Sequence, residues 1–276
     1  MRCLKLLLLT AGLLLSCRGG LLAAETELAS LTPERMLPSM DGEHHAYTLD
    51  FLVFGDVAEG RLQLTSETTP GRYRIELFAR TLGVASWLTG DRNHRYVSVV
   101  EADDKGRLRT VSYEASVHKR KSGEWKNRLK NYRFDYVAGK IYQEKGEDGQ
   151  LAPGLVFELP AGPPPVDILT GFYNLRSGVY GRLTPGAHLK IPSFSSRGFG
   201  SIDIEVLTGT ERLNKPFFPV TGTLLRAKVD PEVFETKGAD MYVWFDETGR
   251  PARGLVEGVV GIGDVYGHLR GERQQP

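Results

Sequence analysis

Six histidines, His44, His45, His94, His118, His188 and His268, are the side chains from which a metal site or an imidazole base would be built. Only His44 and His45 are neighbours, and no third ligand stands at a metal-binding spacing from them. In a polar stretch such a pair is solvated. The others are scattered, without the spacing of a zincin helix. Serine hydrolases place their nucleophile on a tight turn, and no Gly-x-Ser-x-Gly occurs. The stretch Ser193 to Ser196 around Phe194 reads as a polar patch. Carboxylates are paired at Asp103-Asp104 and at Asp203/Glu205, but the first pair precedes a Lys105-Gly106 turn and the second faces solvent from its strand. Gly254, Gly258, Gly261, Gly263 and Gly267 lack the order of a phosphate-binding Gly-x-Gly-x-x-Gly loop. In a β-protein such glycines permit bulges and sharp sheet curvature. Both cysteines, Cys3 and Cys17, fall at the extreme N-terminus, so the body has no thiol for catalysis, metal binding or a disulfide. No catalytic residues, metal or cofactor are expected, and the chain does not read as an enzyme.

One run carries chemistry of another kind. Between His118 and Arg133 stand Lys119, Arg120, Lys121, Lys126, Arg128, Lys130 and Arg133, opposed by Glu124 alone, with Trp125 in the middle. Such a hairpin suits an anionic partner such as lipid headgroups, lipid A phosphates or wall glycans, with Lys126, Arg128, Lys130 and Arg133 as contacts. The plainer reading is a solvated hairpin whose charges keep a sheet edge from pairing. The whole chain of 276 residues carries 35 Lys and Arg against 34 Asp and Glu, a formal charge of +1. That balance gives no electrostatic reason to expect a nucleic-acid partner. With 41% hydrophobic and 25% charged residues, the composition is that of a soluble globular protein rather than a multi-span membrane protein.

The N-terminus has the form of an export signal over residues 1–16. Arg2 and Lys5 precede an apolar run, Leu6 to Leu15, that is too short for a permanent bilayer span. Leu14-Leu15-Ser16-Cys17 resembles a bacterial lipobox, which makes Cys17 the lipidated first residue of the mature protein. Cleavage after Ala24, in Leu22-Ala23-Ala24, is the alternative. Both readings place the protein outside the cytoplasm, in the periplasm. The first anchors it to a membrane through Cys17.

Residues 17–45 then read as a tether, 46–271 as a β-rich domain, and 272–276 as a tail. Period-two alternation governs the domain. Tyr47, Leu49, Phe51 and Val53 share one face of a strand; Tyr73, Ile75, Leu77 and Ala79 share another. Val111, Tyr113, Ala115 and Val117 form a third face, and Tyr132, Phe134 and Tyr136 a fourth. Ile202, Ile204 and Val206 alternate with Asp203 and Glu205, and Met241–Phe245 and Leu255–Val260 complete the set. Thr81–Leu88, with Trp87, breaks the period. Pro153–Pro165 reads as a linker. After Pro163-Pro164-Pro165, Asp167 is placed to cap a helix in which Ile168, Leu169, Phe172 and Leu175 recur at helical spacing. The fold class is therefore all-β and mainly antiparallel, a single curved sheet or incomplete β-barrel closed by one short amphipathic helix.

Two segments resemble the bacterial family catalogued as domain of unknown function 3108. The first is Val166-Asp167-Ile168-Leu169-Thr170-Gly171-Phe172-Tyr173-Asn174-Leu175-Arg176, similar to a family helix that starts at an aspartate and ends at an arginine. The second runs from Tyr242-Val243-Trp244-Phe245 through Asp246–Pro251 to Val259–Val265, similar to the family's strand, polar turn, Arg-Pro, strand and Ile-Gly ending. The resemblance spans about residues 46–271. It implies an exported envelope protein with a strongly curved antiparallel sheet, and brings no catalytic residues with it.

The functional expectation is a non-catalytic envelope protein that binds a hydrophobic or amphiphilic component, a lipid or acyl chain. The large inward residues Phe51, Tyr73, Trp87, Phe134, Phe172, Tyr173 and Trp244 are the expected lining. The helix is expected to plug the sheet; in lipid carriers such a helix opens to release its cargo. Alternatively, the domain is a structural or interaction module that holds an envelope protein or membrane surface by a sheet edge or the basic hairpin. A hydrolase acting on wall or lipid ranks behind both.

Overall fold

The computed structural model describes residues 33–51, 54–82, 91–121, 123–231, 236, 238, 240–259 and 263–271. Cys17, the expected export signal and Trp87 lie outside the described residues. The described chain opens with helix α1 (Pro33–Ser39), then strands β1 (His44–Phe51), β2 (Phe54–Ser66), β3 (Arg72–Thr81), β4 (Arg92–Ala102) and β5 (Leu108–Lys121). Strands β6 (Glu124–Asp135), β7 (Lys140–Glu147) and β8 (Gln150–Glu158) precede helix α2 (Ile168–Arg176). After α2 come β9 (His188–Ser195), β10 (Gly198–Val206), the single turn α3 (Gly209–Arg212) and β11 (Thr223–Lys228). The last strands are β12 (Met241–Phe245), β13 (Pro251–Val259) and β14 (Gly263–Leu269).

All fourteen strands form one antiparallel sheet in the order β8-β7-β6-β5-β4-β3-β2-β1-β14-β13-β12-β11-β10-β9. Each half is a meander, and the β1–β14 pair joins them. Hairpins are the shortest connection between antiparallel strands, and glycines at positive φ, Gly123, Gly139 and Gly149 among them, make the reversals between β5, β6, β7 and β8. This is the expected curved, incomplete barrel. Its open seam lies between β8 and β9, where rings rather than a ladder meet: Phe157 stands 5.0 Å from Phe194 and 6.1 Å from Phe199. Just before α2, Val166 makes a parallel bridge with Ser193.

Helix α2 lies against the inner face and packs on β3, β4, β5 and β9. Leu169 and Tyr173 join Leu64, Ile75, Val100 and Phe134 in one buried cluster. Leu175 joins Ile191, Ile204 and Leu225 in a second. Burying such side chains contributes about 1.5–3 kcal/mol each. That burial holds a nine-residue helix, too short to persist alone.

The structure corrects several expectations. Residues 33–45 are not the end of a tether. Leu37 and Met40 are buried in the main cluster, and Gly42 donates to the Leu64 carbonyl at 2.9 Å. His45 is consequently buried in β1 rather than solvated. Pro153 lies within strand β8, not in a linker; an edge strand tolerates a residue without an N–H. Val111 does not share the inner face with Tyr113, because a bulge pairs Thr110 with Val100 and Ser112 with Val99. The glycines of the last hairpin do accompany a register shift, between Val256 and Val259.

Candidate functional site

Helix α2 is held by polar contacts at both ends. At its start the buried Asp167 carboxylate accepts from the backbone N–H groups of Leu169 and Thr170 at 2.9 and 3.1 Å. It also accepts from the hydroxyls of Ser98, Thr110 and Thr170 at 2.6, 2.7 and 2.5 Å. A capping aspartate satisfies helix N–H groups and suits the positive end of the helix dipole. In mid-helix the Asn174 amide imitates a neighbouring strand, accepting from Leu108 N–H and donating to Leu108 C=O, both at 2.8 Å.

At the C-terminal end, Arg176 makes a bidentate pair with Glu43 at 2.6 and 2.8 Å. Its side chain is 5% exposed, and it lies over the rings of Phe172 and Tyr173. Burial alone would raise the Glu43 carboxyl, but the hydrogen bonds and charge of Arg176, with the His45 ring 3.3 Å away, outweigh it and hold the group at about 2. Burial pushes the nearby phenols of Tyr47 and Tyr173 upward, which keeps them protonated.

The expected lining residues occupy different settings. Phe134 and Tyr173 are buried in the main cluster, with Tyr73 and Phe172 packed against it. Phe51 is buried in β1, opposite Val265 and Phe54. Trp244 is corrected: it does not face the interior. It belongs to a separate cluster with Phe218, Leu224 and Tyr242, and its indole N–H donates to the Thr221 carbonyl at 2.8 Å. Its neighbours Val243 and Phe245 join the cluster that contains Leu175 of α2, and the Phe245 ring stacks on Phe172 at 6.0 Å.

The basic hairpin is present, but its charges divide between two faces. Lys126, Arg128 and Lys130 lie on the same face of β6 as the core residues Tyr132 and Phe134, at two-residue steps. Arg133 is corrected, since it is on the opposite face, 4.4 Å over the Tyr142 ring and paired with Asp135 at 3.3 Å. Trp125, 52% exposed, is also on that opposite face.

Beyond α2 the inner face continues as register rows. The first runs Leu62, Leu77, Tyr96, Ala115, Lys130, Lys145 across six strands. The next runs Gly60, Ala79, His94, Val117, Arg128, Glu147. A third sets Arg92, Lys119 and Lys126 side by side. The first row passes from Leu62, Leu77, Tyr96 and Ala115 to two lysines on β6 and β7; the second passes from Gly60, Ala79, His94 and Val117 to Arg128 opposite Glu147. A cavity of about 60 Å³, with room for a few waters, opens where Tyr96, Ala115, Lys130 and Tyr132 meet Ile168 of α2 and Ser195. Lys119 stands opposite Lys126 and Lys130 opposite Lys145, and Lys126 is ion-paired with Asp148 at 3.6 Å and with Glu124 at 3.8 Å.

Lys145 was not a sequence candidate, and Lys119 was not singled out within its run. Counting back in twos from Phe134 would have put the basic residues inside, whereas the partnership with Lys145 depends on strand register. Among the described residues, no group of three or more His, Cys, Asp or Glu side chains comes together, and no helix is long and apolar enough to cross a membrane.

The family model described as protein of unknown function (DUF3108) matches residues 46–270. No curated protein matches the sequence. Among solved structures, a β-barrel-like protein of domain of unknown function DUF1849 from Brucella abortus is similar at 9% identity. The alignment has a TM-score of 0.43 and covers 83% of this chain and 96% of that one.

Proposed function

The chain belongs to the DUF3108 family, and we propose that it is a non-catalytic, exported envelope protein that binds an anionic amphiphile at the inner face beyond α2. One observation carries the reading: Lys126, Arg128 and Lys130 extend the same face of β6 that bears Tyr132 and Phe134. Apolar surface and cationic charge, which occupy separate stretches of the sequence, adjoin on one surface. An acyl chain lies along Leu77, Ala79, Ala115 and Val117, and its acidic headgroup meets the lysines and arginine of β6. Export and anchoring rest on Arg2, Lys5, the apolar run to Leu15, and Cys17.

Native mass spectrometry of protein purified without detergent, followed by organic extraction, tests the proposal. Near-stoichiometric acidic lipid is expected in wild type, together with uptake of phosphatidylglycerol but not phosphatidylcholine from vesicles. The triple variant Lys126→Glu, Arg128→Glu, Lys130→Glu loses both. A lipid-free protein that takes up neither phospholipid refutes the proposal.

A second reading, a partner held at a sheet edge, draws on β8. This edge strand exposes Leu155 at 58% and Val156 at 54%. Leu155→Lys would then release a co-purifying envelope protein while leaving lipid uptake unchanged.

A further inference from the structure

The outer face of β3–β6 carries a recess of about 440 Å³, within the range of about 300–1,000 Å³ common to ligand pockets. The register builds it from adjacent rows. Asn93, His118 and Asn127 stand side by side on β4, β5 and β6. Next to them, Phe78, Arg95, Ser116 and Leu129 form the neighbouring row. All seven line the recess, as does Glu114.

The two formal charges that line this recess, Arg95 and Glu114, already match each other. Arg95 donates through Nε and Nη2 to the two Glu76 carboxylate oxygens at 3.0 and 2.9 Å, and through Nη1 to Glu114 at 3.1 Å. Its guanidinium is held between two carboxylates and offers little to an anion. What remains for a ligand is two carboxamides, an imidazole and the Ser116 hydroxyl, whose Oγ donates to Asn127 Oδ1 at 3.3 Å. Opposite Glu114 on β6, the buried Oδ1 of Asn131 has no hydrogen-bond partner. Phe78 and Leu129 add apolar surface to the same lining.

We infer that this recess is a second binding site and that its ligand is a neutral oligosaccharide. Sugar hydroxyls donate and accept at once, and a carboxamide answers both roles with fixed geometry. The C–H faces of a pyranose suit Leu129 and the Phe78 ring, over which Arg61 lies at 5.2 Å, and the Arg95 guanidinium, already held by Glu76 and Glu114, offers little to a phosphate or carboxylate. The site stands on the face opposite the proposed amphiphile site, so either can fail without the other.

Chitotetraose, cellotetraose and maltotetraose, titrated into isotopically labelled purified protein, are the probes. At least one is expected to shift the Asn93 and Asn127 side-chain amide resonances saturably, with a dissociation constant of about 1 mM or tighter. The shift should persist between about 50 and 500 mM salt, since no net charge is engaged. Asn93→Ala with Asn127→Ala should weaken binding by about tenfold, from the loss of two neutral hydrogen bonds, and leave phosphatidylglycerol uptake unchanged. Phe78→Ser, which leaves both amides in place, should also weaken it and serves as the test if the double variant does not fold. No saturable shift with any probe, or unaltered affinity in folded variants, overturns the inference.

Discussion

Replacing Glu43 by Gln tests whether the buried pair with Arg176 locks α2 into the barrel. The carboxyl is held at about 2 against its ordinary 4.5, and each pKa unit corresponds to about 1.4 kcal/mol. Ionised Glu43, with a side chain only 18% exposed, therefore contributes about 3 kcal/mol to folding. A domain of this size loses roughly 2–4 °C of melting temperature per kcal/mol, so Glu43→Gln should melt roughly 6–12 °C below wild type at neutral pH. The folded pKa lies below the unfolded one. The contribution is thus complete above a pH of about 4.5 and disappears as pH falls toward 2. Calorimetry of both proteins should show their melting temperatures well separated at pH 7 and converging through that acid window. A separation under about 1 °C at pH 7, or one that stays constant into acid, refutes the reasoning.

Asp167→Ala removes five accepted hydrogen bonds from a buried group and should cost about 3 kcal/mol or more in urea unfolding. Asn174→Leu leaves the Leu108 N–H and C=O without their partner and should cost about 2–3 kcal/mol, with faster amide exchange at Leu108. Gly222→Ala places a methyl group against the Phe245 carbonyl at a backbone φ of +66°. It should lower the melting temperature and shift Trp244 fluorescence, whereas Gly209→Ala, with open space around it, should do neither.

Alternation from Tyr47 to Val117 was enough to read antiparallel strands, and Asp167 announced the helix it caps because a capping aspartate immediately precedes helical spacing. Face assignment was harder. Val111 looked inward because period two cannot register the bulge between Val99 and Val100. Trp244 looked inward because a large apolar residue on a strand suggests a core, and its strand buries residues on both faces. The Glu43–Arg176 pair joins residues 133 apart in the chain, a contact that no local pattern encodes. Asn93, His118 and Asn127 become a set only through the registers of three strands. Their residue types alone gave no reason to group them.

The polar anchors of α2 also decide where an amphiphile would enter. A helix that swings out to release cargo would have to break the Glu43–Arg176 pair, the Asp167 cap and the Asn174 bridge together, and would expose Leu169, Tyr173 and Leu175. Even after discounting for non-additivity, that motion costs at least about 5 kcal/mol, leaving an open fraction on the order of 10⁻⁴. A ligand would have to repay the whole cost from its own binding energy. The inner face beyond Tyr96 requires no such opening, since Leu77, Ala79, Ala115 and Val117 are only half-buried. Helix α2 is then a fixed plug that bounds the site at one end. Native-state hydrogen exchange should find the Gly171 and Tyr173 amides protected to nearly the global unfolding free energy, with or without phosphatidylglycerol. Exchange that becomes markedly faster in its presence would show α2 moving with the ligand and would place the site beneath the helix.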